Sequence, residues 1–412
     1  MSTIVVFTLS ALGHVHPTLP IVSELVQRGH HVVYYCGEEV RAKIEATGAT
    51  FRPIAWDFRS VERSQQPRLS AYALAQAHCA AALLPQLLAE VEALAPAGVL
   101  ADFMCLWGRM VARTLKLPLV NISSGFALGP GVLPPRPMLM ALDVGPAPLP
   151  GGREVLELRR LTAQLARQYA APPMQTQFDL LSMDGDDVLV CTAQAFQPRG
   201  ERFPAHFHFI GPSVAPRAEQ PPTLGPLDDR PLVYVSLGTV FNRKPDFFRQ
   251  CVAAFADGAY QVILSVGDRT DPAVLGPLPD HIQARAYVPQ LEVLSRASVF
   301  VSHAGMNSVS EAISQEVPVV AVPQAADQFT IAQRVAQLGI GRTLQPFQRS
   351  ARQLRAAVDA LVHDTAVRGR CRDLRRAFEQ AGGPPARRRL LRRGWPEGSR
   401  GTRPADESAP PA

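Results

Sequence analysis

Residues 299–328 read VFVSHAGMNSVSEAISQEVPVVAVPQAADQ. Val299–Ser302 is a short apolar run with no polar alternation, the pattern of a strand buried on both faces. Ala304 and Gly305 make a small-residue turn, and Asn307 and Ser308 open a helix running to Gln315. Val317–Pro323 is a second strand, followed by a helix over Phe329–Leu338. Two strands joined through a helix run parallel, so this stretch predicts a doubly wound α/β sheet.

The alternation extends outward. Pro231–Leu237, Gln261–Val266 and Ile282–Tyr287 are further strands and Asp246–Ala256 a helix, so residues 231–383 form one α/β domain. Before it, Gly211–Pro231 is rich in Pro, Gly and charge without period, which places a linker at 213–230. Residues 1–212 repeat the rhythm: strands at Thr3–Leu9, His31–Tyr35, Gly98–Ala101 and Pro118–Ile122, with helices at Thr18–Gln27 and Ser70–Leu94. Phe126–Gly152 interrupts it. The segment is Gly/Pro-rich yet carries Leu133 and Met138, and reads as a partly ordered excursion or as an apolar wall for a ligand. Residues 384–412 hold an Arg/Pro-rich run with no apolar period and are expected to be disordered.

Composition excludes several classes. Of 412 residues 47% are hydrophobic and 19% charged, enough for large cores. No apolar run reaches the roughly 18 residues of a membrane span, and the N-terminus lacks a basic region and cleavage site, so a cytoplasmic protein is expected. The six cysteines, at 36, 79, 105, 191, 251 and 371, form no CxxC pair, which argues against a disulfide scaffold or structural zinc. The net charge of +6 is misleading about partners. Seven Arg against Glu397, Asp406 and Glu407 put +4 on the tail, leaving +2 on the preceding 383 residues. Nucleic acid is not an expected partner.

Chemistry concentrates at strand ends. Gly13-His14-Val15-His16-Pro17 follows the first strand, where open α/β sheets bind ligands. GxGxxG is missing there, which disfavours a dehydrogenase-type dinucleotide site. A His at that edge suits a general base near neutral pH, against a purely structural alternative. Asp102 ends another strand of the same sheet; it either meets His14 and orients its ring or caps the following helix. In the second domain the turn at His303–Gly305 precedes a helix N-terminus, an anion site by geometry. Glu311 lies one turn past Asn307. Asp327 and Gln328 suit sugar hydroxyls, and Ser236-Leu237-Gly238-Thr239 is a third small polar loop. Each alone is ordinary turn chemistry; three in one domain are not. Asp184-Gly185-Asp186 matches a metal-binding DxD, but three residues carry almost no information, and no metal site is expected.

Together these residues resemble a family: inverting, nucleotide-sugar-dependent glycosyltransferases of the GT-B fold, close to the bacterial macrolide-type members. The likeness covers about residues 3–383. PQ at Pro289-Gln290, HxGxNSxxE at His303-Gly305-Asn307-Ser308-Glu311, PxxxDQ at Pro323-Asp327-Gln328 and GHxxP at Gly13-His14-Pro17 carry it. The resemblance implies two Rossmann-like domains facing across a cleft, the first taking the acceptor and the second the nucleotide sugar, with no cofactor and no metal. It makes His14 the base and Asp102 the stabiliser of its imidazolium. Tyr287, Val288 and Gln290 would hold the uracil, Glu311 the ribose, and Ser236, Gly238, Thr239, His303, Gly305, Asn307 and Ser308 the diphosphate. Asp327 and Gln328 would read the donor sugar, expected to be the glucose of UDP-glucose. The acceptor, an apolar macrolide, polyketide or flavonoid, would be walled by Trp107, Phe126, Leu133 and Met138. A monomer or weak homodimer is expected.

Three departures stand out. Tyr287 replaces the usual Trp, Met306 replaces the second Trp of the plant motif, and the tail replaces the final helix that crosses back over the first domain. Two rival functions share the scaffold. One is a sugar-nucleotide epimerase, which needs no apolar acceptor wall; the other is a catalytically silent nucleotide-sugar binder, indifferent to loss of His14.

Overall fold

The computed structural model describes residues 1–55, 68–129, 132, 152–169, 173–214, 227–239, 242–268, 270–325 and 327–381. Two parallel sheets organise them. The first has strands β1 (Thr3–Phe7), β2 (His31–Cys36), β3 (Thr50–Pro53), β4 (Gly98–Asp102), β5 (Leu119–Ser123), β6 (Asp187–Val190) and β7 (Phe207–Phe209), in the order β3-β2-β1-β4-β5-β6-β7. The second has β8 (Leu232–Ser236), β9 (Gln261–Ser265), β10 (Ile282–Arg285), β11 (Ala297–Ser302), β12 (Val319–Ala321) and β13 (Gly341–Thr343), in the order β10-β9-β8-β11-β12-β13. Every strand pair is parallel.

The helices are α1 (Leu12–Gln27), α2 (Arg41–Glu45), α3 (Leu69–Leu94), α4 (Leu106–Thr114), α5 (Gly152–Tyr169), α6 (Pro245–Ala254), α7 (Gln290–Arg296), α8 (Met306–Ser314), α9 (Gln328–Gln337), α10 (Ala351–Val362) and α11 (Thr365–Ala381). They cover both sheet faces, so strand residues such as Val5, Val6, Val235, Leu264 and Val301 have no exposed surface. That is why these strands read as unbroken apolar runs rather than alternations.

In each sheet the strand order reverses at one place, between β1 and β4 and between β8 and β11. At such a switch point the following helices diverge to opposite faces and leave a crevice beyond the strand ends. Phe7 pairs with Ala101 and Ser302 with Ser236 at those points. Each sheet therefore delivers two loops side by side to its own crevice.

Three expectations change. α1 begins at Leu12, not Thr18, and contains Pro17 and Pro20. Each proline removes only one backbone donor, and Thr18 Oγ1 donates to Val15 O at 2.7 Å and shares a hydrogen bond with the buried Tyr34 hydroxyl at 2.7 Å, steadying the turn. α5 occupies part of the stretch with no expected element, burying Leu158, Thr162 and Leu165 along one face. The halves are also joined through α11, whose Phe378 meets Phe196 of the first half edge-on at 5.9 Å. Arg334 of α9 adds hydrogen bonds to the carbonyls of Ala195, Phe196 and Gln197. The tail, most of the linker and most of the 126–152 segment, including Leu133 and Met138, lie outside the described residues. Among the described residues no helix is long and apolar enough to cross a membrane.

Candidate active site

The first switch point brings His14 and Asp102 together. His14 sits in the opening turn of α1 and Asp102 ends β4, and His14 Nδ1 lies 2.7 Å from Asp102 Oδ2. The carboxylate is 0% exposed against 22% for the imidazole, so the aspartate is sealed beneath a histidine that reaches the cleft. Its second oxygen, Oδ1, accepts from the Met104 amide at 2.9 Å. A carboxylate accepting Nδ1–H leaves Nε2 as the basic atom. Burial pulls the His14 pKa down, but the charge and hydrogen bond of Asp102 and the charge of Asp327 outweigh it, and the net direction is up. Ser124, just past β5, places Oγ 3.4 Å from His14 Nδ1. No expectation covered Ser124, although its position at a strand end of the same sheet is the signal that singled out Asp102.

The second switch point gathers the loops after β8 and β11. Gly238 has φ +73, a conformation that disfavours side chains, and a Cβ there would lie 2.6 Å from the His303 ring. A Cβ on Gly305 would lie 2.4 Å from His303 Nε2. The imidazole is thus clasped between two glycines, which is why this loop pair uses that residue type. Ala304, between His303 and Gly305 in sequence, is left-handed at φ 63, local strain of the kind found at binding sites. Burial depresses the His303 pKa to about 4, so the ring is neutral at physiological pH. It offers an anion an N–H dipole, not a cation. Its Nδ1 has no hydrogen-bond partner among the described residues. Beside it, α8 presents its N-terminus at Met306 and Asn307, with Gly305 as N-cap.

Asn242, unforeseen from sequence, holds the Gly238 carbonyl through Nδ2 at 2.9 Å. Ser236 Oγ accepts from the Gly238 amide at 3.3 Å, and Thr239 is exposed at the loop tip. Gln290 is tied down in a network. Its Nε2 donates to Glu311 Oε2 at 2.5 Å and to Ser308 Oγ at 3.5 Å, and its Oε1 accepts from Tyr234 Oη at 3.1 Å. Tyr287, three residues before Gln290, is 48% exposed, and Val288 is half-buried. Gln290 and Glu311, expected at the uracil and the ribose, and Ser308, expected at the diphosphate, are therefore one connected group.

The two crevices face each other. Asn307 Nδ2 of α8 donates to Gly13 O of α1 at 3.4 Å. Gly13 O is free to accept because its helical partner would be the nitrogen of Pro17, which has no hydrogen. Asp327 Oδ2 lies 3.9 Å from where a Cβ of Gly125 would stand, so this carboxylate also looks across at the first domain.

Sequence and structure comparisons identify the family and the fold. Residues 249–386 match the C-terminal domain model of erythromycin biosynthesis protein CIII-like proteins. The NDP-glycosyltransferase YjiC of Bacillus subtilis is 32% identical over 380 residues, covering 91% of this chain and 93% of that protein. The oleandomycin glycosyltransferase of Streptomyces antibioticus is 32% identical over 390 residues, covering 92% and 88%. The chain belongs to the macrolide-type glycosyltransferase family. The crystal structure of the calicheamicin glycosyltransferase CalG4 superposes with a TM-score of 0.80 at 29% identity, covering 95% of this chain and 98% of that one. The fold is accordingly GT-B, and the chain is a glycosyltransferase.

Two residues expected at the acceptor, Trp107 and Phe126, lie in the packed interior. Trp107, in α4, is 1% exposed and packs in the first domain's core with residues of α3, a burial that does not suit an acceptor wall. Phe126 is buried against Phe196, ring centroids 5.3 Å apart, within the core that continues into the second domain. Its packing serves the junction between the two halves. The DxD look-alike is also accounted for: Asp184 pairs with Arg109 and Arg113, and Asp186 accepts from the Leu119 amide at 2.9 Å.

Proposed function

We propose that this glycosyltransferase moves glucose from UDP-glucose to a hydroxyl of an apolar small molecule, with inversion and without a metal. The observation that carries the reading is the 2.7 Å contact between His14 Nδ1 and the sealed Asp102 carboxylate at the mouth of the cleft. It leaves Nε2 to take the acceptor proton as the oxygen attacks the anomeric carbon, and Asp102 stabilises the imidazolium that forms. One direct displacement inverts the anomeric centre.

The departing diphosphate sits, in this reading, against the N-terminus of α8 with His303, Asn307, Ser308, Gly305 and the Ser236–Gly238–Thr239 loop. Backbone N–H groups and the helix dipole supply the positive potential there. Tyr287 stacks on the uracil, Val288 and Gln290 meet its edge, Glu311 holds the ribose, and Asp327 faces the glucose from a loop that Gln328 folds. The names of an oleandomycin glycosyltransferase and a calicheamicin glycosyltransferase among its relatives support a small-molecule acceptor of that kind.

The test is UDP release from UDP-glucose, with TDP-glucose in parallel, over a panel of phenols and macrolides, for wild type beside His14→Ala. Acceptor-dependent release is expected, reduced about 10²- to 10⁴-fold in the variant. A wild type that binds UDP but turns over no acceptor, or a variant as fast as wild type, would overturn the reading.

A further inference from the structure

The loop between β12 and α9 ends in Asp327, and its shape is imposed from within and from behind. Gln328 is 6% exposed, and its Oε1 accepts from the amides of Gln324 at 2.8 Å and Ala325 at 3.2 Å. The acyl oxygen of Gln328 thus folds its own loop, and of the Asp327–Gln328 pair only Asp327 presents its carboxylate to the cleft. Gln324 Nε2 donates to Val322 O at 2.5 Å.

Behind the loop stands Arg349, in the segment between β13 and α10. It lies just after the short Pro346–Gln348 turn and before Ser350, the N-cap of α10. Its Nη2 donates to Pro323 O at 2.5 Å and its Nη1 to Gln324 Oε1 at 3.4 Å. The guanidinium is half-buried and, among the described residues, has no carboxylate partner. Burial without a counter-charge disfavours a cation. A lysine would present a point charge where this fork reaches two acceptors at once.

We propose that Arg349 is a positioning residue for donor-sugar recognition: its fork clamps the Pro323–Gln328 loop from behind and keeps the Asp327 carboxylate aimed at the sugar, opposite His14. The inference rests on the reading of Asp327 as a sugar contact. The diphosphate and nucleoside residues lie on other loops, so the clamp acts on the sugar and not on UDP.

The experiment compares wild type, Arg349→Met, which keeps the apolar stem, and Arg349→Lys, which keeps the charge. It measures KM for UDP-glucose, Ki for UDP and the preference for UDP-glucose over UDP-galactose, with a thermal melt of each protein. For Arg349→Met, KM is expected to rise about tenfold, as for one lost charge-assisted hydrogen bond. Ki for UDP should stay within about twofold, the donor preference should fall, and Arg349→Lys should recover part of the loss. KM and Ki rising together, or neither moving, would overturn the clamp, as would a KM change that follows only the fall in melting temperature. A wild type that binds neither UDP nor UDP-glucose would instead overturn the donor-site reading, and the inference with it.

Discussion

At the scale of single residues, protonation decides what this site does. His14 must be neutral at Nε2 to act, and its pKa is held above the ordinary value by Asp102 against the pull of burial. Activity therefore falls as pH drops through that raised pKa. Asp102→Asn removes the raising charge while burial still lowers the pKa. The acid limb of the kcat/KM profile should move to lower pH, and kcat should fall because the ring loses its orienting acceptor. A limb that stays in place would show that Asp102 does not tune the base. His303 behaves in the opposite way. With its pKa pushed down to about 4 by burial, its imidazole signals in an NMR titration of the free protein should remain those of a neutral ring at pH 6. A midpoint near 6.5 would show that the ring is not clasped as described. His14 and Asp102 were legible in the sequence as residue types at strand ends, but their contact and the sealing of the aspartate were not. The neutrality of His303 was not, because it comes from the surrounding packing.

At the scale of elements, the first turn of α1 and the two glycines beside His303 carry the sharpest expectations. Pro17 leaves Gly13 O without a helical donor, and Asn307 of the other domain takes it. Pro17→Ala restores that donor and improves the helix itself. The melting temperature should hold or rise while kcat falls about 2- to 10-fold, the worth of one neutral hydrogen bond. A parallel fall in both would mark Pro17 as a packing residue only. Gly238→Ala places a Cβ 2.6 Å from the His303 ring at φ +73. It should cost at least about 1 kcal/mol in stability from the backbone alone, and it should weaken UDP binding, read by calorimetry, because the imidazole must move. The apolar runs made the strands readable, as unbroken hydrophobic stretches do in any two-sided parallel sheet. α1 was misplaced because Pro17 and Pro20 look like helix breakers when the Thr18–Tyr34 contacts that support the turn are invisible.

For the whole molecule, the question is what holds two domains at a working distance. Phe196 leaves the first half and enters the core of the second, against Phe126 and Phe378, and Arg334 binds three successive carbonyls around it. Phe196→Ala should cost about 3–5 kcal/mol, as for a large aromatic removed from a packed core, measured by denaturant unfolding. An exposed-site value below 1 kcal/mol would show that the junction is loose. Trp107 and Phe126 illustrate why acceptor contacts resisted sequence reading. A large aromatic beside a cleft-forming strand suits a wall and a core equally well by type, and only the arrangement of α3, α4 and Phe196 around them puts both inside.

The sequence by itself determined the two parallel sheets, the strand ends that bear His14, Asp102 and His303, and the family. Each of these depends on local pattern: apolar runs, small-residue turns and motif spacing along the chain. Tertiary structure alone decided that Asp102 lies sealed beneath His14 and that Gln328 folds its own loop. It alone also set Arg349 behind that loop and Asn307 against Gly13 across the cleft. Those contacts join residues up to 294 positions apart, and no local pattern encodes which distant partner a buried polar atom will find.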